Sequence, residues 1–275
     1  MKVQYSLAAF ILLIILSNAC SPKPYAESNK KYKAQARSLA KIIREQPADS
    51  IVADSQRTAP YWVGTTNFGL RKPNYVIIHH TAQNSCEQTL KTFSMESTQV
   101  SAHYVICKDG TLQHMLNDYL RAWHAGAAKW GNETDINSAS LGIELDNNGI
   151  DSFTVAQINT LIGLLLSLKT KYKIPAANFI GHGDIAPGRK VDPNVNFPWQ
   201  LLAQKGYGLW YNDTTNVMLP ADFDPILALR IIGYDVTDRV AVVQAFRRHF
   251  LHTEEKGELA EPEKKILYML MQKFM

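Results

Sequence analysis

Residues 178–194 read NFIGHGDIAPGRKVDPN, and the prediction of the fold starts from this stretch. Its apolar beginning, Phe179 and Ile180, has the pattern of a short buried strand that breaks at Gly181. The loop that follows is punctuated by proline and glycine and carries one imidazole (His182), one ammonium group (Lys190) and two carboxylates (Asp184 and Asp192). Loops held by a rigid scaffold are where binding and catalytic groups concentrate, so this loop is a candidate site.

Two features of the loop point to metal chemistry. His182 and Asp192 are residue types that ligate divalent metals. Lys190 stands two residues before Asp192, so in an extended segment both side chains leave on the same side. Taken singly, each residue also fits a plain surface loop with a salt bridge or a turn hydrogen bond. The loop therefore needs partners elsewhere in the chain.

The first partner is the apolar run Tyr75–Thr81, which is of strand length and contains two successive imidazoles. Side chains at the ends of buried parallel strands are well placed to form sites. Successive strand residues point to opposite faces, so only one of His79 and His80 is expected to reach the site.

The second partner is Glu144, which lies inside the apolar run Ser140–Asp146. A charged Glu is almost never fully buried unless it is paired, so this residue is either exposed at an edge or lines a polar site. In a site, partial burial would raise its pKa towards the range that is useful to a general base.

The remaining patterns complete an α/β domain with a mixed central sheet flanked by helices, which we place at residues 61–212. Its other predicted elements are a helix at Glu87–Ser97, strands at Ser101–Ile106 and Leu112–Leu116, a helix at Thr154–Lys171 with its apolar face on Val155, Ile158, Leu161, Ile162, Leu165 and Leu168, and a closing helix at Pro198–Ala203. Thr154 and Gln157 have the spacing of a capping box.

Residues 213–275 change character and contain three amphipathic runs at Asp224–Ile232, Asp238–Phe250 and Glu263–Phe274. They predict a small three-helix bundle. The bundle is either a separate domain or an extension packed on the α/β domain.

The N-terminus predicts export. Residues 1–20 combine a basic start, an apolar run from Leu7 to Leu16 and small residues before Cys20, which is the pattern of a signal peptide. With Cys20 directly after Ala19, the pattern resembles a bacterial lipoprotein signal, so Cys20 is the predicted lipidation site; an ordinary cleaved signal is the alternative. Residues 21–60 are either a tether or a packed layer. The pairing of Cys86 with Cys107 is left open.

The composition of the chain indicates a globular protein and gives no sign of nucleic-acid binding. The chain has 275 residues, 46% of them hydrophobic and 20% charged, as in globular proteins. Its net charge of +4 is too weak and dispersed to indicate nucleic acid as a partner.

Five collinear motifs resemble the type 2 N-acetylmuramoyl-L-alanine amidase family, which shares its fold with peptidoglycan recognition proteins and phage T7 lysozyme. They are IHHTA (78–82), SAHY (101–104), RAWHAG (121–126), LGIEL (141–145) and GHGDIAPGRKVDP (181–193). The last three helices resemble a type 1 peptidoglycan-binding domain. One departure is Gly183, which stands where relatives often have Ser.

The resemblance implies a site and a reaction. It implies a Zn²⁺ ion held by His79, His182 and Asp192, with Glu144 as the acid–base residue and Lys190 stabilising the oxyanion. The bond cleaved would be the amide between the lactyl group of N-acetylmuramic acid and L-alanine of the stem peptide. His103, Trp123 and His124 are candidate substrate-binding residues; the two histidines could instead make supporting hydrogen bonds, and Trp123 could be core. Asp184 is expected to stabilise the turn.

The resemblance also sets the partners and the alternatives. Peptidoglycan or muropeptides are the expected partners, together with a membrane through the lipid anchor, and the chain is expected to be a monomer. The location would be the outer membrane, facing the periplasm, or the periplasm itself for a secreted form. The alternative functions are a non-catalytic muropeptide recognition protein and a phage-type endolysin; the signal peptide opposes the endolysin.

Overall fold

The computed structural model describes residues 23–44, 65, 67 and 70–275, so the predicted signal peptide and Cys20 lie outside the described residues. The chain divides into two units, Met1–Phe68 and Gly69–Met275. The described part of the first unit contains helix α1, Ala26–Arg44, and this helix buries none of its described side chains. No helix in the described part of the chain is long and apolar enough to cross a membrane.

The second unit contains a five-stranded mixed sheet, as the sequence predicts. Its strands are β1 (Tyr75–His80), β2 (Tyr104–Ile106), β3 (Leu112–His114), β4 (Ser140–Leu145) and β5 (Phe179–Gly181). They lie in the order β3-β2-β4-β1-β5, and only the β2–β3 pair is antiparallel. The carboxyl ends of β4, β1 and β5 therefore lie side by side at one edge of the sheet.

Helices follow the strands in chain order and cover both faces of the sheet. They are α2 (Cys86–Ser94), α3 (Ile136–Ala139), α4 (Val155–Tyr172), α5 (His182–Ile185), α6 (Trp199–Gln204), α7 (Pro225–Ile232), α8 (Arg239–Phe250) and α9 (Glu261–Met271). The predicted capping box of α4 is confirmed: the Thr154 hydroxyl accepts from Gln157 N, and the Gln157 side chain accepts from Thr154 N. The inclusion of Val155 in its apolar face is wrong, because this first-turn residue is exposed.

The two faces of the sheet have separate cores. Ile78, Leu141 and Ile143 point to the side of α4 and pack with its Leu161 and Leu165. Alternation directs Ile77 and Ile180 to the opposite side, where they share a core with the C-terminal helices, including Leu229, Phe246 and Leu267. The three predicted C-terminal helices are thus present and pack on the sheet. That they form a wall-binding domain from residue 213 stays a prediction.

The structure closes the question of the two mature cysteines. Cys86, the first residue of α2, and Cys107, next after β2, form a disulfide with their Cα atoms 5.3 Å apart. This bridge ties helix α2 to the sheet.

Candidate active site

Strand register brings the predicted site residues together. Residue His79 on β1 lies opposite Glu144 on β4, and Ile78 lies opposite Gly181 on β5. His182 directly follows Gly181 and begins α5. The three side chains therefore meet at the carboxyl edge of the sheet, on the face that also packs against the C-terminal helices.

Three buried side chains converge on one point. His79 Nδ1 lies 2.9 Å from His182 Nδ1, and both nitrogens lie 3.0 Å from Asp192 Oδ2. Among the described residues, these three form the cluster whose donor atoms are close enough to hold one metal ion.

The outer nitrogen of His182 fixes where its ring proton lies. Nε2 is 3.0 Å from the backbone oxygen of Ala125, and a carbonyl oxygen only accepts, so Nε2 carries the proton. Arg189 Nη2 lies 3.3 Å from the same nitrogen, but its shorter bond, 2.6 Å, goes to the Ala125 oxygen. Nδ1 is therefore the nitrogen of His182 that can present a lone pair to the cluster.

A relay of hydrogen bonds fixes the proton of His79 in the same way. Ser140 Oγ donates to Ile136 O at 2.5 Å, so it accepts from His124 Nε2 at 3.2 Å. His124 Nδ1 is then an acceptor, and the donor 3.1 Å from it is His79 Nε2. Like His182, His79 turns an unprotonated Nδ1 towards the centre.

The resulting donor set fits a divalent metal ion. Two imidazole lone pairs and one carboxylate oxygen face one another, which is repulsive unless a cation lies between them. Burial and the neighbouring His182 lower the pKa of His79 to about 4, which keeps its ring neutral. Burial alone would raise the pKa of Asp192, but its close contacts with the His182 and His79 rings bring it well below its ordinary value, so the carboxylate is ionised.

Gly142 makes room for the relay, a role that the sequence analysis missed. A Cβ atom at this position would lie 2.5 Å from Cγ of His124, so only glycine lets the imidazole rest on β4. Asn137 holds the segment from above, since its Oδ1 accepts from the backbone N–H groups of His124 and Ala125. The motif glycine was visible in the sequence, but its partner was not.

Glu144 is buried beside this cluster. Its Oε2 atom has no hydrogen-bond partner among the described residues. Burial, and then the negative charge of Asp192, raise the pKa of Glu144 to about 8, while the positive charge of Lys190 opposes the shift. A carboxyl group with this pKa can both take and give a proton near neutral pH.

The other candidate residues take different places. His80 points away, as alternation predicts, and its Nδ1 accepts from Asn194 N, which holds the chain just after Asp192. His103 is fully buried and bonds only backbone, accepting from Gly142 N and donating to Leu120 O, so for it and for His124 the geometry supports the supporting-bond alternative. Trp123 is 52% exposed, which contradicts a core role.

Comparison with known proteins supports the interpretation of the site. Residues 69–195 match the family model described as N-acetylmuramoyl-L-alanine amidase. The amidase AmiD of Escherichia coli K12 is 33% identical over 230 residues, which cover 72% of this chain and 82% of AmiD. AmpD of Citrobacter freundii, a 1,6-anhydro-N-acetylmuramyl-L-alanine amidase, is 39% identical over 37% of this chain and 54% of AmpD.

Two solved structures match most of the chain. One is E. coli AmiD in complex with anhydro-N-acetylmuramic acid-L-Ala-D-γ-Glu-L-Lys, with a TM-score of 0.67, 30% identity, and coverage of 80% of this chain and 94% of the other. The second is AmpDh3 of Pseudomonas aeruginosa in complex with an anhydromuramic pentapeptide, with a TM-score of 0.67, 28% identity, and coverage of 80% and 99%.

Proposed function

We propose that this chain, which belongs to the N-acetylmuramoyl-L-alanine amidase family and is an N-acetylmuramoyl-L-alanine amidase, works with a zinc ion held by His79, His182 and Asp192. The observation that carries the proposal is the convergence of three unprotonated donor atoms within 3.0 Å of one another. Two nitrogens and one oxygen with space for a further ligand are the usual set for hydrolytic zinc.

Zinc at this position would polarise the carbonyl of the scissile amide and lower the pKa of a water molecule. The chain supplies the proton transfers. Glu144 lies on the strand next to His79, and we assign it the removal of a proton from the attacking water and its delivery to the leaving amide nitrogen. Its pKa of about 8 in the metal-free chain places both forms of the carboxyl group within reach of neutral pH.

Lys190 is assigned to the developing negative charge on the carbonyl oxygen. Its positive charge influences the pKa of both Glu144 and His79, which is consistent with a place near the cluster. A cation held at the position where charge develops stabilises the transition state more than the ground state.

The substrate is proposed from the relatives. Two of them are solved with anhydromuropeptides bound, and we propose that this chain likewise acts on peptidoglycan or its soluble fragments. The exposed ring of Trp123 stands next to His124 in the sequence and is available to contact the substrate. A non-catalytic recognition protein would not need a buried Glu144 with a raised pKa beside the cluster.

Mass spectrometry of muropeptide digests tests the proposal. The purified full chain should release free stem peptide, lose this activity with EDTA and regain it with added zinc. Glu144→Gln, with its metal intact, is the matched inactive control. A zinc-loaded chain that binds wall fragments and releases no peptide would exclude the amidase mechanism.

We further propose that the chain is a lipoprotein of the outer membrane, anchored through Cys20. The Cys86–Cys107 disulfide supports an oxidising compartment such as the periplasm. Mass spectrometry of the mature N-terminus is the test: an unmodified residue at or beyond Cys20 would exclude the anchor.

A further inference from the structure

Asp184, two residues after the proposed ligand His182, is a buried carboxylate bound from three directions. Its Oδ2 accepts from the backbone N–H of Gly181 at 2.8 Å, which is the turn-stabilising bond expected from the sequence. It also accepts from His249 Nδ1 at 2.7 Å, and Oδ1 accepts from the Tyr234 hydroxyl at 2.8 Å. Two of the three donors therefore come from the C-terminal helical region.

Helix α8 also lies close to the same turn, where its Arg248 approaches Gly183. Gly183 N donates to the backbone oxygen of Asp192 at 2.7 Å, so residue 183 links the segments that carry two of the proposed ligands. A Cβ atom on Gly183 would lie 3.1 Å from Arg248 Nη1 and 3.3 Å from Lys190 O. The Arg248 guanidinium is buried and held by Glu254 through bonds of 2.5 and 2.7 Å, so it cannot easily yield. Glycine at this position matches the close approach of α8.

The side chains that reach Asp184 are themselves fixed. The His249 ring stacks on Trp199 with centroids 4.0 Å apart. The Tyr234 ring packs edge-on against Trp130 at 4.9 Å, and both residues are buried. A buried carboxylate depends on its donors, because an uncompensated charge in the interior is costly. When a donor is lost, Asp184 and the turn around it must move to find a new partner.

We propose that Tyr234 and His249 are positioning residues of the amidase: they hold Asp184, and through it the turn that presents His182 to the metal. This inference rests on the proposed function, since it takes His182 as a ligand. It assigns the C-terminal helices to the active centre itself, whether or not they also bind the wall.

Zinc affinity of the full chain, measured by competition with a chromogenic chelator, tests the inference. His249→Phe keeps a ring on Trp199 and removes the donor, whereas His249→Asn loses the ring and offers a side-chain N–H near the position of Nδ1. Direct hydrogen-bond partners of metal ligands are typically worth 10- to 100-fold in affinity, and the effect here passes through one more residue. We therefore expect about tenfold weaker zinc binding in Tyr234→Phe and His249→Phe, and affinity within about twofold of native in His249→Asn. In zinc-saturated Tyr234→Phe and His249→Phe, kcat should fall while KM changes little.

Tyr172→Phe is the matched control. The Tyr172 hydroxyl donates to the buried Asp118 at 2.6 Å, the same type of bond, in the core on the α4 side of the sheet. Tyr172→Phe should lower the unfolding temperature of the metal-free chain about as much as Tyr234→Phe and leave zinc affinity unchanged.

The outcomes separate this inference from the proposed function. If the native chain binds no zinc, the proposed site is wrong. If the native chain binds zinc and Tyr234→Phe binds it equally well, Tyr234 and His249 serve stability only, and the inference is overturned. Should His249→Phe fail to fold, Tyr234→Phe decides the question on the same measurement.

Discussion

Gly142→Ala tests the relay that orients His79, because it adds one methyl group under the His124 ring. The new Cβ would lie 2.5, 2.6 and 2.9 Å from three ring atoms of His124. Ordinary van der Waals contact begins near 3.4 Å, so the ring must withdraw by about 0.9 Å. A displacement of this size directed away from His79 would lengthen the 3.1 Å bond between His79 Nε2 and His124 Nδ1 to about 4 Å, which is no longer a hydrogen bond.

Two quantities should change in Gly142→Ala. Loss of the bond that orients a metal-binding imidazole typically weakens metal affinity by about 10- to 100-fold. The forced methyl group in a closely packed strand should also lower the free energy of unfolding by about 1–3 kcal/mol. Amidase activity at saturating zinc should recover only in part, because the freed His79 ring can rotate.

Zinc competition and chemical denaturation of the metal-free chain measure the two effects. Gly163→Ala is the matched control: a Cβ there meets nothing within 4 Å among the described residues, and alanine in this helix should add about 0.5–1 kcal/mol of stability without changing zinc affinity. Native zinc affinity in Gly142→Ala would show that the relay does not orient His79.

Three further substitutions separate the roles at the centre. His182→Ala should abolish zinc retention in a dialysis and metal-content assay; retained zinc would remove His182 from the ligand set. Lys190→Ala should keep zinc but lower kcat by about 10²–10³-fold if it acts as an oxyanion donor, and unchanged turnover would exclude that role. Glu144→Gln should keep zinc and lower kcat by about 10²–10⁴-fold. Because the pKa of Glu144 is raised from 4.5 to about 8 in the folded metal-free chain, folding favours the protonated form, and the native chain should lose stability between about pH 4.5 and 8. Denaturation curves of metal-free Glu144→Gln should lack this part of the decline; equal declines would contradict the raised pKa.

Local sequence patterns were sufficient for the strands that carry the site. An apolar run ending in two imidazoles predicts a buried strand, and alternation then separates His79 from His80 as the structure does. Glu144 was singled out because a charged residue inside an apolar run is either exposed at an edge or lines a polar site. The loop at 178–194 was predicted from its glycines and prolines. In each case the signal lies within a few residues of the side chain concerned.

Contacts between residues that are far apart in the chain could not be predicted from the sequence. Gly142 was seen as a motif residue, but the ring that rests on it comes from a separate loop. Asp184 was assigned to its turn correctly, and its bonds to Tyr234 and His249, 50 and 65 residues away, were not foreseen. Residues 213–275 were predicted as helices without knowledge of their packing. Periodicity shows that a helix has an apolar face but does not show what that face covers.

The chemistry of the proposed metal centre depends largely on atoms that would touch neither metal nor substrate. Ser140 donates its hydroxyl proton to Ile136 O and therefore accepts from His124 Nε2. His124 Nδ1 then accepts from His79 Nε2, which leaves His79 Nδ1 unprotonated. The Ala125 carbonyl does the same for His182 in one step. A chain that kept the three proposed ligands but carried a side chain at position 142, or no acceptor at position 140, would hold the right residues with their protons in the wrong places. The presence of the ligand residues alone is therefore weaker evidence for this activity than the ligands together with Gly142, His124 and Ser140.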